Sequence, residues 1–328
     1  MKKIVIDIYG ADAGITPVLR GTAAAVQMGL PFFPILVGCE KDIRAFMDEA
    51  GISPERYEVM DTGDFIAADE PPTCIFGGRD ESSMAMAYGR LKNDDDCCAM
   101  LSPGNTGALL VGAICRLGLL PGLKFPALAS ALPCAGEQLV CLVDCGANMD
   151  CTAADLVRFA KMGSVFSQSC CGIPSPRVGL MSVGREPGKG TALTREAFSL
   201  ISQTDLNFVG NLEGSDLVSG YCDVIVTDGF SGNLLLKNTE AVGKAAVATV
   251  EQLGLDAAPE IIEAIRTALL KRFDFNSQGG ATFLGPKKTV VKMHGCANEE
   301  TTVSSIEQIL RLENAGFCRE MEQALVKN

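Results

Sequence analysis

The feature that most constrains the fold of this chain is a series of short, β-branched runs that repeatedly end in Asp or Gly and alternate with longer helical patterns. These runs cover residues 4–7, 34–38, 98–101, 139–144, 178–181, 207–210 and 223–228. Strands that are apolar along most of their length are typical of parallel sheets that helices cover on both faces. The pattern therefore predicts an α/β fold with a mostly parallel sheet.

The domain organisation is predicted to be a single integrated α/β unit over residues 1–328, because no Ser/Gly-rich linker, low-complexity tract or internal repeat divides them. Residues 243–273 have a helical pattern throughout, and Gly254 and Pro259 mark the expected break between two antiparallel helices. We expect this helical pair to protrude from the body as a tip.

Charge and hydropathy exclude several classes of protein. The chain has 28 Lys and Arg against 40 Asp and Glu, so its net charge of −12 gives no general attraction to nucleic acid or to an anionic membrane surface. The most hydrophobic stretch, Thr106 to Leu123, is short for a membrane span and contains Arg116, which favours a buried helix. The opening Met1-Lys2-Lys3-Ile4-Val5 leads directly into Asp7 without an apolar signal segment, so we expect a cytoplasmic protein.

The fourteen cysteines are predicted to be small core residues in a reducing compartment, because several of them lie in or beside apolar runs. Those in apolar runs are Cys97, Cys98, Cys141 and Cys222. No Cys-x-x-Cys pair is present and His294 is the sole histidine, so we expect no metal site. A Ser-His-Asp or Cys-His mechanism would have to use His294.

Three polar, Gly-rich loops follow predicted strands, where ligands of open α/β sheets collect. Gly104-Asn105-Thr106-Gly107 leads into a helix, with Asn105 or Thr106 as its N-cap. Its free N–H groups suit phosphate, although a cap that only stabilises the helix fits the pattern equally well. Asp144–Asn148 and Asp228–Asn233 repeat the design, and we expect the three loops to line a pocket.

Two further loops contain single candidate residues. Residues 184–191 fail the Walker pattern, since three residues separate Gly184 from Gly188-Lys189 and Gly190 follows the lysine. Lys189 is then either an anion ligand or an ordinary solvated lysine. His294 ends a predicted strand, where it is either a structural hydrogen-bonding group or a proton carrier.

In this order the loops resemble the phosphate acyltransferase (PlsX) family, from residue 1 to about residue 310. The motifs of the amino-terminal half are Ile6-Asp7 with Gly10 and Asp12, Asp69-Glu70-Pro71, Ser82-Ser83-Met84, Gly104–Ala108, Asp144–Asn148 and Asp150-Cys151. Those of the remainder are Arg177–Leu180, Lys189-Gly190, Gly210–Gly214, Asp228–Phe230, Gly232-Asn233, Gly279–Ala281 and His294-Gly295.

The resemblance implies a Rossmann-like three-layer α/β/α sandwich that is similar to isopropylmalate dehydrogenase and phosphotransacetylase. It also implies a homodimer without a cofactor that converts acyl-[acyl carrier protein] and orthophosphate to acyl phosphate and free carrier protein for phospholipid synthesis. A weak peripheral contact with the inner face of the membrane would accompany this role. Phosphate attacks the thioester directly, so no covalent intermediate and no thiol are required.

Site roles follow from the resemblance and from the loops together. The predicted catalytic residues are Lys189, which neutralises charge, Asp228 and Asn233, which position substrate, and His294, which has an optional role in proton handling. The predicted substrate and phosphate ligands are Asp7, Asp12, Gly104, Asn105, Thr106, Gly107, Asp144, Asn148, Gly229 and Gly232.

The sequence departs from the family pattern in three places. Residues 9–15 read Tyr-Gly-Ala-Asp-Ala-Gly-Ile, where the family usually has Met-Gly-Gly-Asp-His-Ala-Pro, and Arg79 alone remains of a basic cluster between residues 72 and 81. The helical pair is shorter and more mixed than in the family. Residues 266–292 nevertheless contain six basic residues against one acidic residue, and the expected docking patch for an acidic carrier protein is Lys271, Arg272, Lys287 and Lys288.

Two other functions stay open. One is a related acyl phosphate enzyme, such as a phosphate acetyl- or butyryltransferase that uses coenzyme A or a glycine reductase component. The other is a non-catalytic paralogue that binds an acyl carrier. A dehydrogenase is disfavoured, because no Gly-x-Gly-x-x-Gly follows a strand.

Overall fold

The computed structural model describes residues 1–136, 138–252, 258–273 and 278–326, and the chain divides into two compact units. The first unit combines Met1–Leu128 with the segment that begins at Gly279, and the second unit contains Ala129–Gln278. The expectation that the whole chain acts as one integrated unit stays a prediction.

The described residues form eleven strands and ten α-helices. The strands are β1 (Lys2–Asp7), β2 (Phe32–Gly38), β3 (Glu58–Asp61), β4 (Cys97–Ser102), β5 (Ala127–Pro133), β6 (Leu139–Val143), β7 (Val178–Met181), β8 (Phe208–Leu212), β9 (Val224–Val226), β10 (Ala281–Leu284) and β11 (Thr289–Lys292). The helices are α1 (Thr16–Gln27), α2 (Glu40–Glu49), α3 (Ser83–Asn93), α4 (Thr106–Gly112), α5 (Ala153–Cys171), α6 (Ala192–Ile201), α7 (Gly229–Gln252), α8 (Pro259–Phe273), α9 (Glu299–Asn314) and α10 (Phe317–Val326).

The first unit is built on strands in the order β3-β2-β1-β4-β11-β10. The strands β3, β2, β1, β4 and β11 run parallel to their neighbours in this order, and β10 is antiparallel to β11. Ile4 and Ile6 of β1 pack with Leu19 of α1 and Ile309 of α9 in one buried cluster. Val5 lies between Ile4 and Ile6, so its side chain points to the opposite face of the sheet. It is fully buried there, where α3 contacts β1 and β4. Helices therefore cover both faces of this sheet, as the apolar strands predicted.

The second unit has strands in the order β5-β6-β9-β7-β8, with β5 antiparallel to β6 and the remaining pairs parallel. Helix α5 packs against β6 and β9 at Gly163, where an added Cβ would lie 2.7 Å from Cγ1 of Val143 and of Val224. In both units the carboxyl ends of the parallel strands lead into the polar loops.

The predicted α/β class and mostly parallel sheet are confirmed, and each of the seven predicted strand runs contains or overlaps a strand. The helical pattern over residues 243–273 is confirmed for the described residues, but α7 begins fourteen residues earlier, at Gly229. Gly254, the predicted break, lies outside the described residues.

The hydrophobic stretch from Thr106 forms α4 and then a π-helical turn over Ala113–Leu117. Within the ranges that the structure describes, no helix is both long and apolar enough to cross a membrane. Cys97, Cys141 and Cys222 are buried as predicted, and Cys98 is partly buried. Cys115 and Cys296 are exposed, so the prediction that all fourteen cysteines are core residues is wrong for these two.

We predict that Gly163→Ala destabilises the protein, because α5 or the strands must shift to admit the methyl group. Strain of this kind costs about 1–3 kcal/mol. Gly89→Ala in α3 is the matched control: no described atom lies within 4 Å of its added Cβ, and alanine favours a helix by about 0.8–1 kcal/mol. In denaturant titrations, the free energy of unfolding should fall for Gly163→Ala and rise for Gly89→Ala. Equal shifts would contradict the packing at Gly163.

Candidate active site

Asp7 ends β1 as a buried carboxylate, with only 1% of the residue exposed. Its oxygens accept the Ser102 hydroxyl at 2.8 Å and the Tyr9 N–H at 3.2 Å. Burial raises the pKa of Asp7 to about 6, while these hydrogen bonds and the charge of Lys292 oppose that shift. Asp7 is therefore a buried group that organises this edge of the sheet, and its role as a substrate ligand stays a prediction.

The loops after β1, β4 and β11 meet at the edge where Asp7 lies. Gly10 has a φ of +105°, and an added Cβ would lie 2.5 Å from Cα of Gly104. The Asp12 N–H donates to the Gly295 carbonyl at 2.7 Å, and the Lys292 ammonium donates to the Pro103 carbonyl at 2.9 Å. The first unit thus brings the predicted residues Asp7, Asp12, Gly104 and His294 to one edge.

Asn105 is the N-cap of α4, as one of the two sequence interpretations proposed. Its Oδ1 accepts the Ala108 N–H at 3.0 Å, and its Nδ2 donates to the carbonyls of Ala67, Ala68 and Glu70 at 3.1–3.3 Å. The side-chain amide therefore stabilises the loop fold, and the role of Asn105 as a phosphate ligand stays a prediction. Thr106 is exposed beside it and Gly107 is partly exposed.

Arg79 does not form an open anion site. Its guanidinium donates to both oxygens of Asp64 at 2.7–3.0 Å, to Glu70 at 2.6 Å and to the Phe65 carbonyl at 2.6 Å. Two carboxylates already balance its charge. The loss of the family's basic cluster thus leaves an arginine that stabilises its own loop.

His294 and Cys296 face each other in the loop after β11. The distance from His294 Nδ1 to Cys296 Sγ is 3.0 Å, and the Cys296 N–H donates to the same nitrogen at 3.2 Å. Cys296 is exposed and His294 is partly buried. The sequence identified the histidine but not its thiol partner.

In the second unit, Asp144 organises the loop that follows β6. Its carboxylate is fully buried and accepts the N–H groups of Gly146, Ala147 and Asn148 at 2.7–3.0 Å, together with the Asn148 side-chain amide at 2.7 Å. Asp144 and Asn148 thus bind each other. These hydrogen bonds shape the loop, and the role of the two residues as direct substrate ligands stays a prediction.

Asp228 caps the start of α7. Its carboxylate accepts the Ser231 N–H at 2.9 Å and the Ser231 hydroxyl at 2.8 Å. Gly229 lies so close to Asn148 that an added Cβ would be 2.5 Å from the Asn148 carbonyl oxygen. The loops after β6 and β9 are therefore in contact, as predicted for these two. Their convergence with the Gly104 loop stays a prediction.

Asn233 and Lys189 are the exposed polar side chains of this edge among the predicted residues of the second unit. Asn233 stands in the first turn of α7 beside Gly146. Lys189 lies in the loop between β7 and α6, where its N–H donates to the Glu186 carbonyl at 3.0 Å. Within the described part of the chain, no hydrogen bond holds the side chain of either residue, so both remain available to a ligand.

The model of the fatty acid synthesis protein family matches residues 2–320. The chain belongs to this family. A phosphate acyltransferase of Brevibacillus brevis is 34% identical over 334 aligned residues, which cover 99% of this chain and 98% of that protein. A phosphate acyltransferase of Bacillus cereus (strain G9842) is 34% identical over 311 residues, 93% of each chain. The family predicted from the loop motifs, a family of acyltransferase enzymes, is confirmed.

Solved structures support the fold of this family member. A phosphotransacetylase from Streptococcus pyogenes superimposes with a TM-score of 0.65 at 17% identity, over 95% of this chain and 94% of that one. A branched-chain phosphotransacylase from Enterococcus faecalis V583 gives a TM-score of 0.61 at 15% identity, over 95% and 98%. The predicted similarity to the phosphotransacetylase fold is confirmed.

The predicted docking residues of this family member differ in their availability. The Lys288 ammonium donates to the carbonyls of Leu91, Asp94 and Cys97 at 2.8–2.9 Å, which uses all three of its donors. The Arg272 guanidinium donates to the carbonyls of Cys134 and Val218. Both side chains therefore stabilise the fold through these hydrogen bonds, and their docking role stays a prediction. Lys287 is exposed, and the Lys271 side chain lies outside the described residues.

Three residues of the first unit were missed as site residues in the sequence. Ser102 and Lys292 both end strands that neighbour each other, and Cys296 follows the histidine by two positions. Ser102 and Lys292 could have been found in the sequence, because each is a polar residue at the end of an apolar strand. No comparable signal distinguished Cys296 from the other cysteines.

We predict that Asp7→Asn changes the pH dependence of stability. The pKa of Asp7 is about 6 in the folded chain against an ordinary value of 3.8, so the folded state binds more protons between these values. The free energy of unfolding of the original chain then falls as pH rises through this window, by on the order of 2–3 kcal/mol in total. The variant lacks this titration.

Denaturant titrations of both proteins between about pH 4 and about pH 7 measure the effect. As pH rises, the free energy of unfolding of the original chain should fall relative to that of Asp7→Asn. A difference that is independent of pH would contradict a raised pKa at Asp7.

Proposed function

We propose that this protein transfers an acyl group from the thioester of an acyl carrier protein to orthophosphate, giving acyl phosphate and the free carrier thiol. A phosphate oxygen attacks the thioester carbonyl carbon, the new C–O bond forms, and the C–S bond breaks. The leaving thiolate has a pKa of about 8.5 by analogy with free cysteine, so it needs little help from an acid. No cofactor takes part in this reaction.

The observation that carries the proposal is that two carboxylates at the edge of the second unit are engaged by loop N–H groups, while two polar side chains at this edge are exposed. Asp144 and Asp228 fix the loop backbones, Asn233 is exposed beside Gly146, and Lys189 is exposed in the loop after the parallel strand β7. Lys189 supplies the positive charge that draws phosphate in and balances its charge during attack. Asn233 supplies N–H groups for the oxyanion that develops on the thioester carbonyl.

Apolar surface for the acyl chain lies in the same turns of α7. Phe230 and Leu234, which flank Asn233, are 64% and 60% exposed. Exposed large apolar side chains grouped around a polar residue suit a ligand with a polar reacting end and a hydrocarbon tail. This arrangement favours a fatty acyl substrate over a short one.

The remaining parts of the proposal concern partners. Lys287 contributes to docking of the acidic carrier, because it is exposed, whereas Arg272 and Lys288, the other two members of the predicted basic set whose side chains the structure describes, are partly buried. The exposed apolar side chains Val242, Ile261 and Ile265 on α7 and α8 favour a homodimer through the helical pair. The setting proposed for the reaction is the cytoplasm, with a weak peripheral contact with the membrane where acyl phosphate is consumed.

Incubation of the protein with orthophosphate and an acyl thioester, followed by trapping of acyl phosphate with hydroxylamine, tests the reaction. Octanoyl-[acyl carrier protein] and octanoyl-coenzyme A are compared as donors. Acyl phosphate from the carrier thioester at the higher kcat/KM supports the proposal. A preference for coenzyme A would contradict the carrier assignment, and no acyl phosphate from either donor would contradict the function.

We predict that Lys189→Ala raises the KM for phosphate and lowers kcat/KM on the order of 10²-fold, because one charged ligand of the transition state is lost. Asn233→Ala should lower kcat by a similar factor. Lys244→Ala, which removes an exposed lysine about 16 Å along α7 from Asn233, is the matched control and should change neither constant. Unchanged kinetics for Lys189→Ala would remove that residue from the site.

A further inference from the structure

Cys115 and Cys296 are the two exposed thiols of the fourteen, all of which lie within the described residues. Cys296 differs from Cys115 because its Sγ lies 3.0 Å from Nδ1 of His294. The Cys296 N–H also donates to this nitrogen, so Nδ1 of the neutral ring is an acceptor and the ring proton resides on Nε2. The thiol and the Cys296 N–H thus both lie within hydrogen-bonding distance of the Nδ1 lone pair, which can take the thiol proton.

The chain holds this thiol and imidazole in place from both sides. Before Cys296, the Gly295 carbonyl accepts the Asp12 N–H at 2.7 Å, which ties the loop to the one after β1. After it, Asn298 caps α9 by accepting the Thr301 N–H at 2.9 Å. The pair is thus presented on a fixed loop at the strand-end edge of the first unit, where an incoming substrate can reach the thiol.

A thiol becomes a nucleophile when a neighbouring base removes its proton, and a cysteine within hydrogen-bonding distance of a histidine is the usual arrangement. We propose that Cys296 and His294 form a nucleophilic pair that accepts an acyl group from a thioester by exchange. The thioester as substrate class rests on the proposed function. The direct attack of phosphate described above does not use this thiol.

In the exchange, Nδ1 of His294 takes the thiol proton and Cys296 Sγ attacks the thioester carbonyl carbon. A new S–C bond forms, the bond to the donor's sulfur breaks, and the imidazolium returns the proton to the leaving thiolate. One thioester replaces another, so no group is oxidised or reduced. The products are S-acyl-Cys296 and the free donor thiol.

Incubation of the full-length protein with octanoyl-coenzyme A or octanoyl-[acyl carrier protein] in phosphate-free buffer tests the inference. Intact mass and peptide mapping should show one hydroxylamine-sensitive octanoyl group, on Cys296 and not on Cys115. Cys296→Ser should remove this group, and His294→Asn should slow its formation on the order of 10²-fold. Alkylation of Cys115 by iodoacetamide is the internal control and should proceed at the same rate in all three proteins.

Equal acylation of Cys115 and Cys296 in the unaltered chain would overturn the inference, and this comparison does not depend on the folding of either variant. A parallel reaction with orthophosphate separates the inference from the proposed function. Acyl phosphate without any adduct on Cys296 overturns the inference and leaves the function standing. An adduct on Cys296 without acyl phosphate supports the inference and contradicts the function.

Discussion

The carboxylate of Asp144 is the group on which the loops of the second unit depend. It is fully buried, and four N–H donors from the following loop surround it. A buried carboxylate without such donors would be strongly unfavourable, so the loop must adopt the shape that supplies them. Asn148 in turn packs against Gly229, which fixes where α7 begins. The orientation of Asn233, in the first turn of that helix, follows from this chain of contacts.

The strands could be predicted from the sequence because a strand that is buried on both faces needs an apolar run, and here these runs end at polar residues. The start of α7 could not. Glycine is a poor helix former, so Gly229 and Gly232 indicated a turn. The structure shows instead that these two positions lie too close to the Asp144 loop for any side chain, so packing outweighs propensity there.

The candidate site was predictable at the level of loops but not at the level of single atoms. Asn105 has its amide occupied by carbonyls 35 to 38 positions earlier in the chain, and Lys288 has its ammonium occupied by three carbonyls of a distant segment. A sequence shows which polar groups exist, but such long-range contacts decide which of them are already satisfied. This distinction separates Lys189 and Asn233 from candidates such as Asn105 and Lys288.

The sole histidine of the chain lies in the first unit. The loop after β1 has Ala13 where the family usually has a histidine, and Asp7 is buried beneath its neighbours. His294 is therefore the imidazole available to the chain, and its Nδ1 lies within hydrogen-bonding distance of the Cys296 thiol and backbone N–H. Direct attack by phosphate on a thioester needs no base of this kind, because the leaving thiolate is already stable. The geometry of His294 and Cys296 instead suits activation of the thiol. The first unit thus contains a proposed reactive group of its own, whereas the proposed acyl-transfer residues Lys189 and Asn233 belong to the second unit.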